Sequence, residues 1–149
     1  MIKAAIFDMD GVVSKSEEHH KEAERQTLGE AGLNVTEEML RAYTGTKDAL
    51  MFLQLKQEYQ LDATAEELIR RKTELLLPML DNVQAIDGVV EVIQYAKNHF
   101  KLGLASSSRK KVVEKTLGVL GLYDNFKSIL CAENVATGKP HPGIYLWSA

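Results

Sequence analysis

The chain has 149 residues, 45% of them hydrophobic and 26% charged, which is enough apolar material for a buried core and too much for a disordered chain. A formal net charge of -3 and a pI near 5.8 exclude the basic footprint of a nucleic-acid binder, and no apolar stretch approaches the roughly 20 residues that cross a bilayer. The N-terminus enters a strand pattern with no signal-like apolar region, so a cytoplasmic setting is expected, and the one cysteine, Cys131, has no partner for an internal disulfide.

The run Ala4-Ala5-Ile6-Phe7 ends in Asp8-Met9-Asp10-Gly11. Read as a buried strand, it points both carboxylates toward the mouth of a sheet, because side chains two apart share a strand face. Their repulsion is relieved only where a cation or a phosphoryl group uses it. Such a pair serves as nucleophile and acid/base, or as an anchor for Mg²⁺. Ser16 is then a candidate N-cap for a helix whose His20, Ala23, Thr27, Leu28 and Ala31 share a face and which Gly32 ends. Thr36 opens a second helix with Met39, Leu40 and Tyr43 inward, and Thr46 a third through Leu50 and Leu53. A fourth follows Thr64-Ala65-Glu66-Glu67, which has capping-box spacing, with Leu68, Leu75, Leu76 and Met79 on its face. Four amphipathic helices in roughly 65 residues form a small bundle, which must sit over the mouth of the sheet.

Asp87-Gly88 starts a further helix through Val89, Val92, Ile93 and Ala96. Lys101-Leu102-Gly103-Leu104-Ala105 reads as a second buried strand running into Ser106-Ser107-Ser108, after which Arg109 to Leu120 is helical and Gly121 caps it. The first amides of that helix lack partners, so with the serine hydroxyls they make an anion cradle. In this reading Ser108 caps the helix and Ser106 is left for a ligand. Ser128-Ile129-Leu130-Cys131-Ala132 is a third strand with Cys131 in the core. Gly138-Lys139-Pro140 sets a cation between a loop and a helix start, with Pro140 and Pro142 stiffening the approach. The short clusters Arg70-Arg71-Lys72 and Lys110-Lys111 read as solvated helix faces.

Asp-x-Asp-Gly-Val, Ala-Ser-Ser-Ser-Arg and Gly-Lys-Pro-x-Pro, in this order, resemble the haloacid dehalogenase superfamily of phosphotransferases, in its β-phosphoglucomutase-like branch, over the whole chain. The resemblance implies an α/β fold with a Rossmannoid parallel sheet core, residues 1–14 and 82–149, and an inserted four-helix cap, residues 15–81. It implies Asp8 as nucleophile and Asp10 as general acid/base, both of them Mg²⁺ ligands. Ser106 and Ser107 are then phosphate ligands, and Lys139 is the counter-ion to nucleophile and phosphate. Lys47 and Arg109 fall to the substrate. His20, one turn beyond Ser16, stands where a histidine of this branch reaches toward the acid/base aspartate.

The activity implied is Mg²⁺-dependent phosphotransfer through an aspartyl-phosphate, with phosphatase action on small phosphorylated metabolites such as sugar phosphates as the leading form. A β-phosphoglucomutase-type mutase and a catalytically weak phosphate-binding protein are the alternatives. Hydrolysis leads because the mutases' cap Arg for a distal phosphate has no clear counterpart here. Lys15 stands where close relatives carry an aspartate, and Gly143 where an acidic residue is common. The family's fourth motif, an acidic pair on a later strand that completes the Mg²⁺ site, is not reached by Ala149. Two expectations follow from that. The chain either associates through the edge of its first strand, Ile2 to Phe7, or is a portion of a longer enzyme, with Mg²⁺-dependent activity below that of a complete relative. The expected partner is a small phosphorylated metabolite, with neither nucleic acid nor membrane involved.

Overall fold

The computed structural model describes residues 3–148. Among them, β1 (Ala4–Phe7), β2 (Lys101–Ala105) and β3 (Ser128–Leu130) form a parallel sheet in the order β1-β2-β3. Phe7 pairs with Leu104, and Leu104 with Ile129, so the C-terminal ends of all three strands open on one side. The expected strand start at Ile2 and the terminal Ala149 lie outside the described residues. Parallel neighbours need long crossovers. The crossover from β1 to β2 carries α1 (Glu17–Glu30), α2 (Glu37–Arg41), α3 (Asp48–Tyr59), α4 (Ala65–Met79) and α5 (Val89–Ala96). The next carries α6 (Lys110–Leu120), and α7 (Gly143–Ser148) follows β3. This is the expected α/β fold.

Local chemistry starts α2 and α4 where the sequence indicates. Ser16, by contrast, makes no cap bond to α1 and gives its hydroxyl to Asp10 instead, and Lys47 rather than Thr46 precedes α3. Thr64 Oγ1 accepts from the Glu67 N–H at 3.2 Å while Glu67 Oε2 accepts from the Thr64 N–H at 2.8 Å, a reciprocal box that satisfies two orphan donors of α4. Thr36 caps α2 through the Met39 N–H at 3.2 Å. Gly121 ends α6 at φ 66°, where a side chain would be strained.

Two faces differ from expectation. In α3 the buried residues are Met51, Phe52 and Leu55, while Leu50 and Leu53 are 49% and 44% exposed. Apolar residues ring this helix, so the periodic pattern selects no face and packing against α4 decides it. In α5 the stripe is Val89, Ile93 and Ala96, with Val92 left outside. Lys72 is also no solvated lysine: it is buried in α4.

The buried residues fall into two clusters. One lies against the sheet and includes Met9, Val13, Ile93, Leu104, Val113 and Leu117. The other lies among α1 to α4 and includes Leu28, Phe52, Leu55 and Leu68. Helix α4 reaches both, giving Leu76 to the first and Leu68 and Ile69 to the second. The two chain crossings between them run side by side. Ser14 bridges Ala85, the Lys15 N–H donates to Gln84 O at 2.8 Å and the Ile86 N–H to Val13 O at 3.0 Å. Lys15 Nζ adds an exposed ion pair with Asp87 at 2.7 Å, of the kind worth at most about 1 kcal/mol.

Candidate active site

The ends of β1 and β2 are neighbours in register, so Asp8 emerges beside Ala105. Lys139 joins them there. Its Nζ lies 2.6 Å from Asp8 Oδ1 and 3.0 Å from Ala105 O, and 5.4 Å above the Tyr145 ring. Asp8 Oδ1 also accepts from the Met9 N–H at 2.9 Å. After Asp8 the chain turns sharply: Met9 O accepts from the N–H groups of Val12, Val13 and Ser14, and Gly11 sits at φ 77°. The turn at positive φ requires glycine, and a Cβ there would lie 2.9 Å from the Glu17 carboxyl carbon, so that flexible side chain would have to move aside.

That turn aims Asp10 back into a ring of donors. Its Oδ1 accepts from Ser16 Oγ at 2.6 Å and lies 3.2 Å from His20 Nε2; its Oδ2 accepts from Ser108 Oγ at 2.8 Å, with Ser106 Oγ at 3.4 Å. Burial pushes the Asp10 carboxyl up, but the hydrogen bond and charge of His20, then the hydroxyls of Ser16 and Ser108, outweigh it and hold it well below the usual carboxylate range. These donors therefore favour the ionised form of Asp10.

A cavity of about 290 Å³ opens above these groups, between sheet and cap. Its floor is Asp8, Asp10, Ser107, Ser108 and Lys139; its cap wall includes His20, Lys21, Glu24, Tyr43, Asp48 and Lys72. Of the residues singled out from the sequence, Asp8, Asp10, His20, Ser107 and Lys139 converge here. Four differ from their expected places. Ser108 does not cap α6, because its hydroxyl goes to Asp10; the helix start is instead met from β3's far end, where Glu133 accepts from the Lys110 N–H at 3.0 Å and from Arg109 Nε at 3.1 Å. Ser106 is fully buried, is not on the cavity wall, and accepts from the Ser108 N–H at 3.0 Å, so it is not left open to a ligand. Arg109, paired with Glu133, borders a separate recess. Lys47 borders that recess too, and its Nζ donates to Ala132 O at 3.2 Å and Val135 O at 2.8 Å. Those two carbonyls hold the ammonium at the recess and off the cavity wall.

Sequence reasoning missed Ser16, Lys72, Asp48 and Glu24 as parts of the site. Ser16 and His20 are four apart on α1, the spacing that puts two side chains on one helix face, which was the available signal. Lys72 falls between Leu68 and Leu76 on the buried stripe of α4, where a lysine needs a carboxylate partner. Cys131 is buried as expected, and burial pushes its thiol up to about 11, which makes it inert.

A parallel sheet whose first strand delivers an aspartate to a lysine, under a helical cap, defines a capped α/β protein with a charged site at the mouth of its sheet. The chain belongs to the haloacid dehalogenase-like hydrolase family, whose profile matches residues 5–147. It is 30% identical over 145 residues to fructose-1-phosphate phosphatase YqaB of Escherichia coli (strain K12), covering 97% of this chain and 77% of that one. It is 30% identical over 158 residues to the beta-phosphoglucomutase of Bacillus subtilis (strain 168), covering 99% and 69%. The crystal structure of CbbY from Rhodobacter sphaeroides in complex with phosphate superposes with a TM-score of 0.88 at 25% identity, over 99% of this chain and 71% of that one. The chain is thus an enzyme of this family, of the kind that includes sugar-phosphate phosphatases and phosphomutases.

Proposed function

We propose that the protein hydrolyses the phosphomonoester of a small polyhydroxy metabolite, a sugar phosphate foremost, through a phosphoenzyme on Asp8 and with the help of Mg²⁺. The observation that carries this reading is the 2.6 Å contact of Lys139 Nζ with Asp8 Oδ1 on the floor of a cavity suited to a small ligand. A carboxylate oxygen of Asp8 attacks phosphorus, the bond to the ester oxygen breaks, and the departing oxygen takes a proton. Lys139 and the Ser107 segment then meet the negative charge on the phosphoryl oxygens. The proton for the departing oxygen passes through Asp10, whose Oδ1 lies 3.2 Å from His20 Nε2 and accepts from Ser16. In the second half Asp10 takes a proton from the water that attacks phosphorus, phosphate leaves, and Asp8 is regenerated.

The donor set suits Mg²⁺ in part. Among the described residues no group of three or more His, Cys, Asp or Glu side chains gathers to hold a metal. Mg²⁺ commonly rests on one or two carboxylates and completes its octahedron with water and phosphate oxygens, which Asp8 at the cavity floor permits. The Asp10 carboxylate, expected as a second ligand, has both oxygens engaged by Ser16, His20 and Ser108. When bound, the ion neutralises charge on the phosphoryl group.

Phosphatase action is favoured over a mutase because the mutases' cap Arg for a distal phosphate has no clear counterpart and Lys47, the cap cation assigned to the substrate, does not line the cavity. The test is phosphate release from a panel of sugar monophosphates, with Mg²⁺ and with EDTA. Release that EDTA abolishes is expected. Phosphate binding without release from any member would support the weak-binding alternative instead.

A further inference from the structure

The cap wall of the cavity is acidic although it holds lysines. Lys72 projects from the buried stripe of α4, its side chain only 3% exposed, and donates to Glu24 Oε1 at 2.7 Å and Asp48 Oδ1 at 2.6 Å. Burial disfavours its charge, but the two carboxylates more than offset that, and Lys72 stays an ammonium. One lysine against two carboxylates leaves the group one negative charge in excess. Lys21, the other ammonium of this wall, lies 2.8 Å from Glu18 and 3.2 Å from Glu37. Glu17 adds a further carboxylate to the lining.

A phosphate brought to this wall would have to displace Asp48 or Glu24 from Lys72 and would still meet the excess acid. A hydroxyl has the opposite fit, since it donates to a carboxylate and costs little to bring there. We propose that Asp48 and Glu24, by holding Lys72 between them, make the cap wall select an uncharged polyhydroxy tail and reject a ligand carrying a second phosphate. This rests on the reading that a phosphomonoester binds at Asp8. It deepens that reading by assigning specificity to three residues that do not touch the reacting group.

The test uses the full chain with Asp8→Asn to prevent turnover, and titrates two matched pairs by calorimetry: glucose 6-phosphate with glucose 1,6-bisphosphate, and fructose 1-phosphate with fructose 1,6-bisphosphate. With Asp48 and Glu24 present, neither bisphosphate should bind more tightly than its monophosphate. Adding Asp48→Asn should shift the ratio toward the bisphosphate by roughly three- to tenfold, the effect of one charge removed at a partly solvated site, and Glu24→Gln should act the same way. Tighter bisphosphate binding with both carboxylates in place, an unchanged ratio in both variants, or no binding by either pair would overturn the proposal. The phosphate-release assay separates this from the wider reading. Turnover of monophosphates with an unchanged ratio would remove Asp48 and Glu24 from specificity and leave hydrolysis standing, whereas a shifted ratio without turnover would do the reverse.

Discussion

Asp10 shows how a single carboxyl is set by its neighbours. It is buried, which alone would favour the neutral form, yet His20, Ser16 and Ser108 all donate to it and the ionised form prevails. Folding therefore favours the charged state, so this contribution to stability is present above the unfolded-state value near 4 and is lost as the pH falls toward the lower folded value. The predicted result is a fall in unfolding free energy from about pH 5 to about pH 3 that is shallower in Asp10→Asn, as measured by urea unfolding. Equal slopes would contradict the assignment. Asp8 and Asp10 were legible as a pair in the sequence because they follow an apolar strand, but the sharp turn after Asp8 that aims Asp10 was not. The roles of Ser16 and Ser108 were not, since a serine before a helix caps it by default and only the tertiary position of Asp10 diverts the hydroxyl. Lys72 was masked in the same way by the two arginines before it, which do face solvent.

Elements explain what the cap is anchored to. Lys47, just before α3, lays its stem against Gly138 and bonds the carbonyls of Ala132 and Val135, so one cap residue clasps the loop that leads into Lys139. A Cβ at Gly138 would lie 2.5 Å from the Lys47 stem, and that stem would have to leave. Gly138→Ala and Lys47→Met should therefore act alike. Each is expected to lower stability by about 1–3 kcal/mol, the worth of hydrogen bonds to a charged donor, and to raise KM by loosening the cap over the cavity. Steady-state kinetics with thermal unfolding checks this; wild-type KM in both variants would contradict it. The helices themselves were readable from capping chemistry at Thr36 and Thr64, but the inward face of α3 was not, because apolar residues on every side leave the choice to its packing partner.

The molecule places its chemistry between two cores, one against the sheet and one within the cap, joined by α4 and by the paired crossings at Ser14 and Ala85. β1 is the outer strand of the sheet among the described residues. Everything in the proposed reaction depends on Asp8, which is delivered by β1, flanked by Lys139 and open to the cavity. The most direct measurement is phosphate release from sugar monophosphates in Mg²⁺ by the wild-type chain and by Asp8→Asn, with circular dichroism to establish that both are folded. An amide is close in shape but does not attack phosphorus, so the rate should fall by roughly 10³-fold or more while the spectra superpose. Comparable rates in the two folded proteins would show that Asp8 is not the nucleophile.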